Sequence, residues 1–169
     1  MTQARMGSLI NFDNSPQELR WVALNDGVMG GRSSGSAVVE GGQLQFSGAL
    51  SLENNGGFAS VRSVGRHFDL SGGMAVVLRV RGDGRRYQLR LATDARYRGV
   101  AVSFGAEFGT RAGEWIDVRV PLESLKATVR GAALVRAQFE PSQVREIGLL
   151  IADKRDGVFS LTVEWIAAE

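Results

Sequence analysis

Short runs in which apolar and polar residues alternate, separated by glycine-rich turns, are the feature that most constrains this chain. Residues Ser34–Glu40 and Gln43–Leu50 alternate in this way on either side of Gly41-Gly42. A period of two places every second side chain on one face of a β-strand, and paired glycines permit the positive φ angles of a tight hairpin turn. Helical periodicity is almost absent, so the pattern predicts an all-β chain.

About ten such strands, spaced by turn signals, predict an antiparallel β-sandwich or jelly roll. The predicted strands are Ser8–Phe12, Ser34–Glu40, Gln43–Leu50, Phe58–Ser63, Met74–Arg81, Arg85–Thr93, Gly99–Phe104, Trp115–Val120, Val144–Ala152 and Val158–Ile166. A short N-terminal helix is expected at Ser15–Glu18, where a proline lies near the start. Leu122–Gln143 is the longest irregular connection, and its apolar residues Leu125, Val129, Leu134, Val135 and Phe139 are expected to cap the sandwich. With no linker or repeat, we expect one domain over residues 1–169.

The two C-terminal strands differ in their pattern. In Val144–Ala152 both alternating sets of side chains are apolar, which predicts a central strand covered on both faces. In Val158–Ile166 the large apolar residues, ending at Trp165, alternate with polar ones, which predicts a half-exposed strand. We expect these two strands to form a hairpin, and Met74–Arg81 to form another with Arg85–Thr93.

The composition excludes several classes of protein. The absence of cysteine rules out disulfides and thiolate sites and suits a reducing compartment. A net charge of +2 gives no general indication of nucleic-acid binding. No apolar run approaches the ~20 residues that a membrane span needs, and the N-terminus lacks the apolar core of a signal peptide. We therefore expect a cytoplasmic protein.

If every strand reverses direction, the loops richest in Gly, Asn and Asp meet at one end of the sandwich. These loops contain the sequences LNDGVMGG, ENNGG, RGDG and ADKRDG, beginning at residues 24, 53, 81 and 152. The first lacks the Lys and the following helix of a phosphate-binding loop. Its glycines either permit a tight turn or allow contact with a ligand.

Five carboxylates fall at this end, namely Asp26, Glu53, Asp83, Asp153 and Asp156. Paired carboxylates can hydrolyse glycosides or hold calcium, but Asp and Asn are also ordinary turn residues that bond their own backbone. The lone His67 has no motif that would make it a base or a metal ligand, and we expect it at the surface. We expect no catalytic residue, no metal and no cofactor.

The spacing of the arginines predicts a second feature. It is a basic stripe on the outer face of the hairpin expected between Met74–Arg81 and Arg85–Thr93. Arg79, Arg81, Arg86 and Arg90 would share that face. The stripe could bind phosphate or an acidic protein surface, or it could be a solvated face neutralised by neighbouring Asp and Glu. Few aromatic residues interleave with it, which argues against nucleic acid.

Several longer motifs resemble one known family. They are Trp21 followed by NDGVMGGRS (25–33), FSG (46–48), LENNGGFASVR (52–62), RGDGRRY (81–87), WIDVRVP (115–121) and IGLLIADKRDGVFSL (147–161). Together they resemble the complex I intermediate-associated protein family, and the chain looks like a stand-alone, bacterial-type member. The resemblance implies a jelly roll of the galactose-binding-like type. It also implies the role of the mitochondrial members, which help to assemble respiratory complex I.

The leading hypothesis is thus a non-catalytic module that binds protein partners, with respiratory-complex intermediates as the partners that the resemblance implies. A carbohydrate-binding module is the alternative, for which Phe58, Phe108 and Tyr87 are the only aromatic candidates near the loops, and a carboxylate-dependent hydrolase ranks last. The residues predicted to bind a partner or ligand are Asn25, Asp26, Met29, Ser33, Glu53, Asn54, Asn55, Arg81, Asp83, Arg86, Asp153 and Lys154. Asn25 and Asp26 either hold the loops together or present a polar surface, and we expect the first.

Overall fold

Two facing antiparallel sheets form the architecture of the computed structural model, which describes residues 7–14, 19–134 and 136–169. Numbered along the chain, the strands are β1 (Gly7–Asn11), β2 (Arg20–Asn25), β3 (Ser34–Glu40), β4 (Gln43–Leu50), β5 (Ala59–Val64), β6 (Ala75–Arg81), β7 (Arg86–Tyr97), β8 (Val100–Gly109), β9 (Trp115–Pro121), β10 (Lys126–Val129), β11 (Ala132–Ala133), β12 (Glu146–Ile151) and β13 (Gly157–Ala168). The all-β prediction is confirmed.

The six-stranded sheet has the order β3-β4-β13-β6-β9, and β1 also pairs with the C-terminal half of β13. The seven-stranded sheet has the order β11-β10-β8-β7-β12-β5-β2. Every pairing between these strands is antiparallel. The predicted antiparallel sandwich is therefore confirmed.

Helical structure is limited to short 3₁₀ turns in the part of the chain that the structure describes. These turns are Phe12–Asn14, Asp26–Met29, Glu53–Asn55, Leu122–Ser124 and Pro141–Gln143. The predicted N-terminal helix at Ser15–Glu18 lies outside the described residues and is not supported. Over the described ranges, no helix has the length and apolar content to cross a membrane.

Two of the three predicted hairpins are wrong. The hairpin β3–β4 turns at Gly41-Gly42 as predicted, with φ of 61° and 76°. By contrast, β6 and β7 belong to different sheets, and so do β12 and β13. The glycine-rich segments between them carry the chain from one sheet to the other, because a turn that crosses the sandwich needs the same conformational freedom as a hairpin turn.

The two C-terminal strands match their predictions in part. As predicted, β12 is central, between β5 and β7, but its outer face is only partly covered since Leu150 is half-buried. In β13 a register shift between Val163 and Trp165 interrupts the alternation. The bulge turns Trp165 outward and places Ile166 in the core, where it is 0% exposed.

A hydrophobic core fills the space between the sheets. Phe46 of β4 lies 4.9 Å from Phe159 of β13 and 6.2 Å from Tyr87 of β7, measured between ring centroids, so the aromatic rings join the two sheets. All three side chains are buried, and each such burial contributes roughly 1.5–3 kcal/mol.

Three strands were missed by sequence reasoning. Strand β2 is an exposed edge strand, and β10 and β11 lie within Leu122–Gln143, which was predicted to be irregular. The capping prediction for that segment is confirmed at Leu125 and Phe139, which pack against the core. Val135 lies outside the described residues.

Candidate functional site

The predicted meeting of the polar loops is confirmed. We call this end of the sandwich the loop pole, formed by residues 25–34, 51–58, 82–85, 110–114 and 152–156. Contacts join the loops pairwise: the Leu52 amide donates to Asp156 Oδ1 at 2.7 Å, and an isolated bridge pairs Gly82 with Ala112. The loops therefore support one another.

Asp26 is the centre of the first loop cluster. Its side chain is completely buried and accepts four hydrogen bonds. They come from the amide of Ser33 at 2.9 Å, the hydroxyl of Ser33 at 2.6 Å, and the amides of Gly57 at 2.6 Å and Phe58 at 3.3 Å. The carboxylate thus fastens residues 25–34 to residues 51–58.

The hydrogen bonds also set the ionisation of Asp26. Burial on its own would raise the pKa of this carboxyl, but the donors of Ser33, Gly57 and Phe58 outweigh burial and hold the pKa below its usual range. An acid that stays ionised and hydrogen-bonded is poorly suited to donate or accept a catalytic proton.

Glycines of both loops make room for this carboxylate. A Cβ atom at Gly31 would lie 2.4 Å from Asp26 Cγ, and one at Gly56 would lie 2.5 Å from Asp26 Oδ2. Gly30 has φ of 85°, which favours glycine. The glycine-rich sequence is explained by tight turning and close packing on Asp26.

Asn25 and Ser33 extend the same network. The Asn25 Nδ2 group donates to the Gly35 carbonyl at 3.2 Å, and its Oδ1 atom accepts from the Ser60 amide at 3.3 Å. The Ser33 hydroxyl accepts from the Ser51 amide at 2.9 Å. These side chains are engaged in holding the loops, as expected for Asn25 and Asp26.

Other predicted residues of this cluster lie at the surface. Glu53 is exposed and lies 3.6 Å from the exposed Arg32, a pair that contributes little. Asn54 is exposed, with φ of 56°. The side chains of Met29 and Asn55 lie outside the described part of the structure.

A second cluster joins two of the connections that cross between the sheets, the one from β6 to β7 and the one from β12 to β13. Asp83 accepts hydrogen bonds from the Tyr87 hydroxyl at 3.1 Å and from the Ser160 amide at 2.8 Å. Burial, together with the neighbouring Asp83 carboxylate, raises the pKa of the Tyr87 hydroxyl, which therefore stays protonated as the donor.

Arg85 is the residue of this cluster that sequence reasoning missed. Its guanidinium donates to Asp153 at 2.8 and 2.6 Å, to the carbonyls of Gly157 and Val158 at 3.0 and 2.9 Å, and to the carbonyl of Arg155. The hydrogen bonds from Arg85 lower the pKa of the Asp153 carboxyl, and Asp153 in turn raises the pKa of Arg85. The predicted basic stripe included the exposed neighbour Arg86 but not Arg85.

Arg86 and Lys154 lie beside this cluster. With Asp153 they line a shallow cavity of about 170 Å³. Arg86 is exposed and lies 3.5 Å from Glu107 on the adjacent strand. Lys154 is exposed and has φ of 61°.

Two of the three aromatic candidates at the loop pole, Tyr87 and Phe108, are not available as a surface for a sugar ring. Tyr87 and Phe108 are 0% and 5% exposed, and their rings stack at 6.2 Å within the core. Phe58 is half-buried. Alternation of side chains in β7 and β8 turns the rings of Tyr87 and Phe108 inward.

The predicted basic stripe is wrong because its strands lie in different sheets. Arg79 and Arg81 lie on β6 of the six-stranded sheet, whereas Arg86 and Arg90 lie on β7 of the seven-stranded sheet. Arg79 is neutralised by Asp117 at 3.1 Å and Glu164 at 4.0 Å. Arg90 bonds only neutral groups among the described residues, namely Gln88, Ser103 and Thr128.

On the outer face of the six-stranded sheet, Arg79 and Arg81 surround a tryptophan instead. The Arg81 and Arg79 guanidinium carbons lie 5.1 and 5.7 Å from the ring centroid of Trp115, which is opposite Arg81 in the register. Trp165 lies opposite Arg79, and both indoles are half-buried. We call this surface, formed by Arg79, Arg81, Trp115 and Trp165, the Trp115 face.

His67 is exposed, as predicted. Within the described ranges, no three His, Asp or Glu side chains come together in a way that could hold a metal ion. The arrangement of the loop pole is therefore that of a hydrogen-bonded scaffold, whereas the Trp115 face is an accessible surface that combines two indoles with two guanidinium groups.

Comparison with known proteins gives a family match and a fold match. The family model for Complex I intermediate-associated protein 30 (CIA30) matches residues 10–163. A family 11 carbohydrate-binding module from Clostridium thermocellum, solved with a beta-1,3-1,4-mixed-linked tetrasaccharide, is 11% identical with a TM-score of 0.69, covering 98% of this chain and 96% of that chain.

Two further solved structures are similar. A family 30 carbohydrate-binding module is 15% identical with a TM-score of 0.56, covering 82% of this chain and 92% of that chain. An agarase is 13% identical with a TM-score of 0.62, covering 97% of this chain and 24% of that chain. At these identities the likeness establishes the fold, a jelly-roll-like sandwich.

Proposed function

Because this chain belongs to the Complex I intermediate-associated protein 30 family, we propose that it is a non-catalytic binding module that helps to assemble or stabilise a protein complex. Intermediates of a respiratory complex are the partner class that the family description suggests. We further propose a cytoplasmic location, since a chain without cysteine suits a reducing compartment.

The observation that carries the proposal is the contact of Arg81 with Trp115. Tryptophan and arginine are the residues most enriched at the energetic centres of protein interfaces. Trp115 is half-buried, so a partner could cover the rest of its ring at a small entropic cost. Arg81 has no carboxylate within 4.0 Å among the described residues, which leaves its guanidinium able to meet an acidic group or a carbonyl of the partner.

The state of the loop pole supports a non-catalytic role. Asp26, Asp83 and Asp153 are each occupied by hydrogen bonds from the protein's own backbone or side chains. A glycoside hydrolase of the usual kind needs one carboxyl group that can give up a proton and another that faces the substrate. We therefore expect no turnover of glycosides, and measurable glycoside hydrolysis by the purified chain would contradict the proposal.

The proposal is tested by quantitative affinity capture from the source cells. The tagged wild-type chain should enrich subunits of one respiratory complex in a constant ratio, and Arg81→Glu should reduce that recovery about tenfold or more. Arg86→Glu is the matched control, since Arg86 is exposed on the other sheet. Equal recovery with all three proteins, or no complex subunits at all, would overturn the proposal.

Carbohydrate binding is the second candidate, favoured by the two indoles of the Trp115 face. An aromatic ring can stack on the apolar face of a sugar, and the outer face also carries the exposed polar residue Gln45, whose amide lies 3.4 Å from the hydroxyl of the buried Thr162. The two guanidinium groups on Trp115 count against this candidate because they compete with a sugar for the ring. Titration calorimetry with the mixed-linked tetrasaccharide distinguishes carbohydrate binding from protein binding. Binding that disappears in Trp115→Ala would favour the sugar.

A further inference from the structure

A basic cavity lies at the end of the sandwich opposite the loop pole. Its volume is about 570 Å³, and the arginines that line it are Arg62, Arg66, Arg96 and Arg145, with Glu146 as the acidic lining residue. Strands β5 and β7 end there, and β8 and β12 begin there. We call this cavity, defined by its four arginines, the basic pocket.

Separate elements bring the four arginines together. Arg62 lies on β5, and Arg66 follows Gly65, whose φ of 104° turns the chain at the end of that strand. The Arg66 guanidinium lies 5.0 Å from the ring centroid of the buried Phe68, which holds it over the cavity. Arg145 precedes β12, and its amide donates to the Ala92 carbonyl at 2.7 Å.

An irregularity in β7 supplies the fourth arginine. The pairing of β7 with β8 shifts register between Ala92 and Arg96, and bulges of this kind re-aim side chains next to binding sites. The Arg96 guanidinium donates to the carbonyls of Ala95 and Thr93, at 3.1 and 3.4 Å. These bonds fix Arg96 without neutralising its charge.

The positive charge of the basic pocket is only partly offset. Glu146 lies 3.7 Å from Arg62, and Asp94 lies 3.4 Å from Arg145, but all four side chains are at least one third exposed. Exposed ion pairs at these distances contribute little stabilising free energy. An incoming anion can therefore compete with Glu146 and Asp94 for the arginines. Arg90 lies on β7 of the same sheet and donates hydrogen bonds to neutral groups, so its charge adds to the positive potential near the basic pocket.

From this geometry we propose that the basic pocket binds a small ligand carrying two or more phosphoryl groups. The planar guanidinium fork matches phosphate oxygens in a bidentate way. Four such forks around one cavity suit a ligand with several charged centres better than a single anion. The volume falls within the range of roughly 300–1,000 Å³ that is usual for small-molecule sites. This inference does not depend on the Trp115 face or on a protein partner.

Calorimetric titration of the full chain with inorganic tripolyphosphate tests the proposal. Arg66→Gln combined with Arg96→Gln should weaken binding about tenfold or more, because hydrogen bonds between charged groups are lost. Arg111→Gln, an arginine at the loop pole that is 77% exposed, should leave binding unchanged. Thermal melting confirms that each variant is folded. If the double variant is unfolded, Arg66→Gln alone replaces it in the titration.

A second measurement locates the site. Amide chemical shifts of Gly65 and Ala101 should move on addition of tripolyphosphate, since both residues border the cavity. No binding at millimolar tripolyphosphate, or equal affinity in the double variant and the wild type, would overturn the proposal. Tighter binding of citrate at the same arginines would overturn the phosphoryl assignment.

Discussion

The guanidinium of Arg85 and the carboxylate of Asp153 form a buried ion pair, with N–O distances of 2.8 and 2.6 Å and side chains 8% and 7% exposed. Arg85 lies in the connection from β6 to β7, and Asp153 lies in the connection from β12 to β13. Both connections cross from one sheet to the other. This pair therefore ties together two of the connections that join the sheets at the loop pole.

Replacing Arg85 should destabilise the fold strongly. Arg85→Met keeps much of the side-chain length but leaves the buried Asp153 without its partner, and such a loss costs about 3–5 kcal/mol. The free energy of unfolding in urea measures the effect. Arg86→Met is the control on the next residue, where the exposed pair with Glu107 predicts a change within about 0.5 kcal/mol. A loss below about 1 kcal/mol at Arg85 would show that the pair is not structural.

Asp26→Asn should also destabilise, although it preserves the shape of the side chain. The amide group places an N–H donor where the carboxylate accepts bonds from Ser33, Gly57 and Phe58. We expect a loss of about 2 kcal/mol or more. Glu53→Gln, at an exposed carboxylate of the same pole, should change stability by less than about 0.5 kcal/mol. Similar values for both variants would contradict the scaffold role of Asp26.

Stability should fall in acid because the pKa values of Asp26 and Asp153 are lowered in the folded state. An unfolded Asp has a pKa of about 3.9. The stabilisation by these ionised groups is therefore complete well above pH 4 and is lost as the pH falls through the lower folded values. Urea midpoints between pH 7 and pH 3 measure the decline, which should be shallower in Asp26→Asn. A flat profile would mean that neither carboxylate is coupled to folding.

Ten of the thirteen strands in the described part of the chain, and the loop pole, could be predicted from the sequence. Alternation of apolar and polar residues predicts each strand. Reversal of the chain direction from one strand to the next predicts the end of the sandwich at which each loop lies. The sheet to which a strand belongs is not a local property. Gly41-Gly42 turns within one sheet, whereas the loop around Asp83 crosses between sheets, and the two turns look alike in sequence.

The inward position of Arg85 was missed for a related reason. An arginine is exposed by default, and its burial here requires Asp153, which is distant in sequence and close only after both crossings have formed. The alternation Arg85, Arg86, Tyr87 was the available signal, since a strand that buries Tyr87 also turns Arg85 inward. The Trp115 face and the basic pocket depend on register shifts in β13 and β7, which no period in the sequence marks.

Asn25→Ala distinguishes a scaffold from a binding site at the loop pole. Asn25 donates to the Gly35 carbonyl and accepts from the Ser60 amide, so it joins β2 to β3 and to β5. Its loss leaves two backbone groups without these partners, and we expect stability to fall by about 1–2 kcal/mol. Ser34→Ala, at an exposed residue beside the same loop, should have almost no effect. Urea denaturation gives the stability, and affinity capture corrected for the folded fraction gives the partner recovery. Unchanged stability with lost recovery would identify Asn25 as a contact residue, whereas lower stability with unchanged recovery would identify it as a residue of the scaffold.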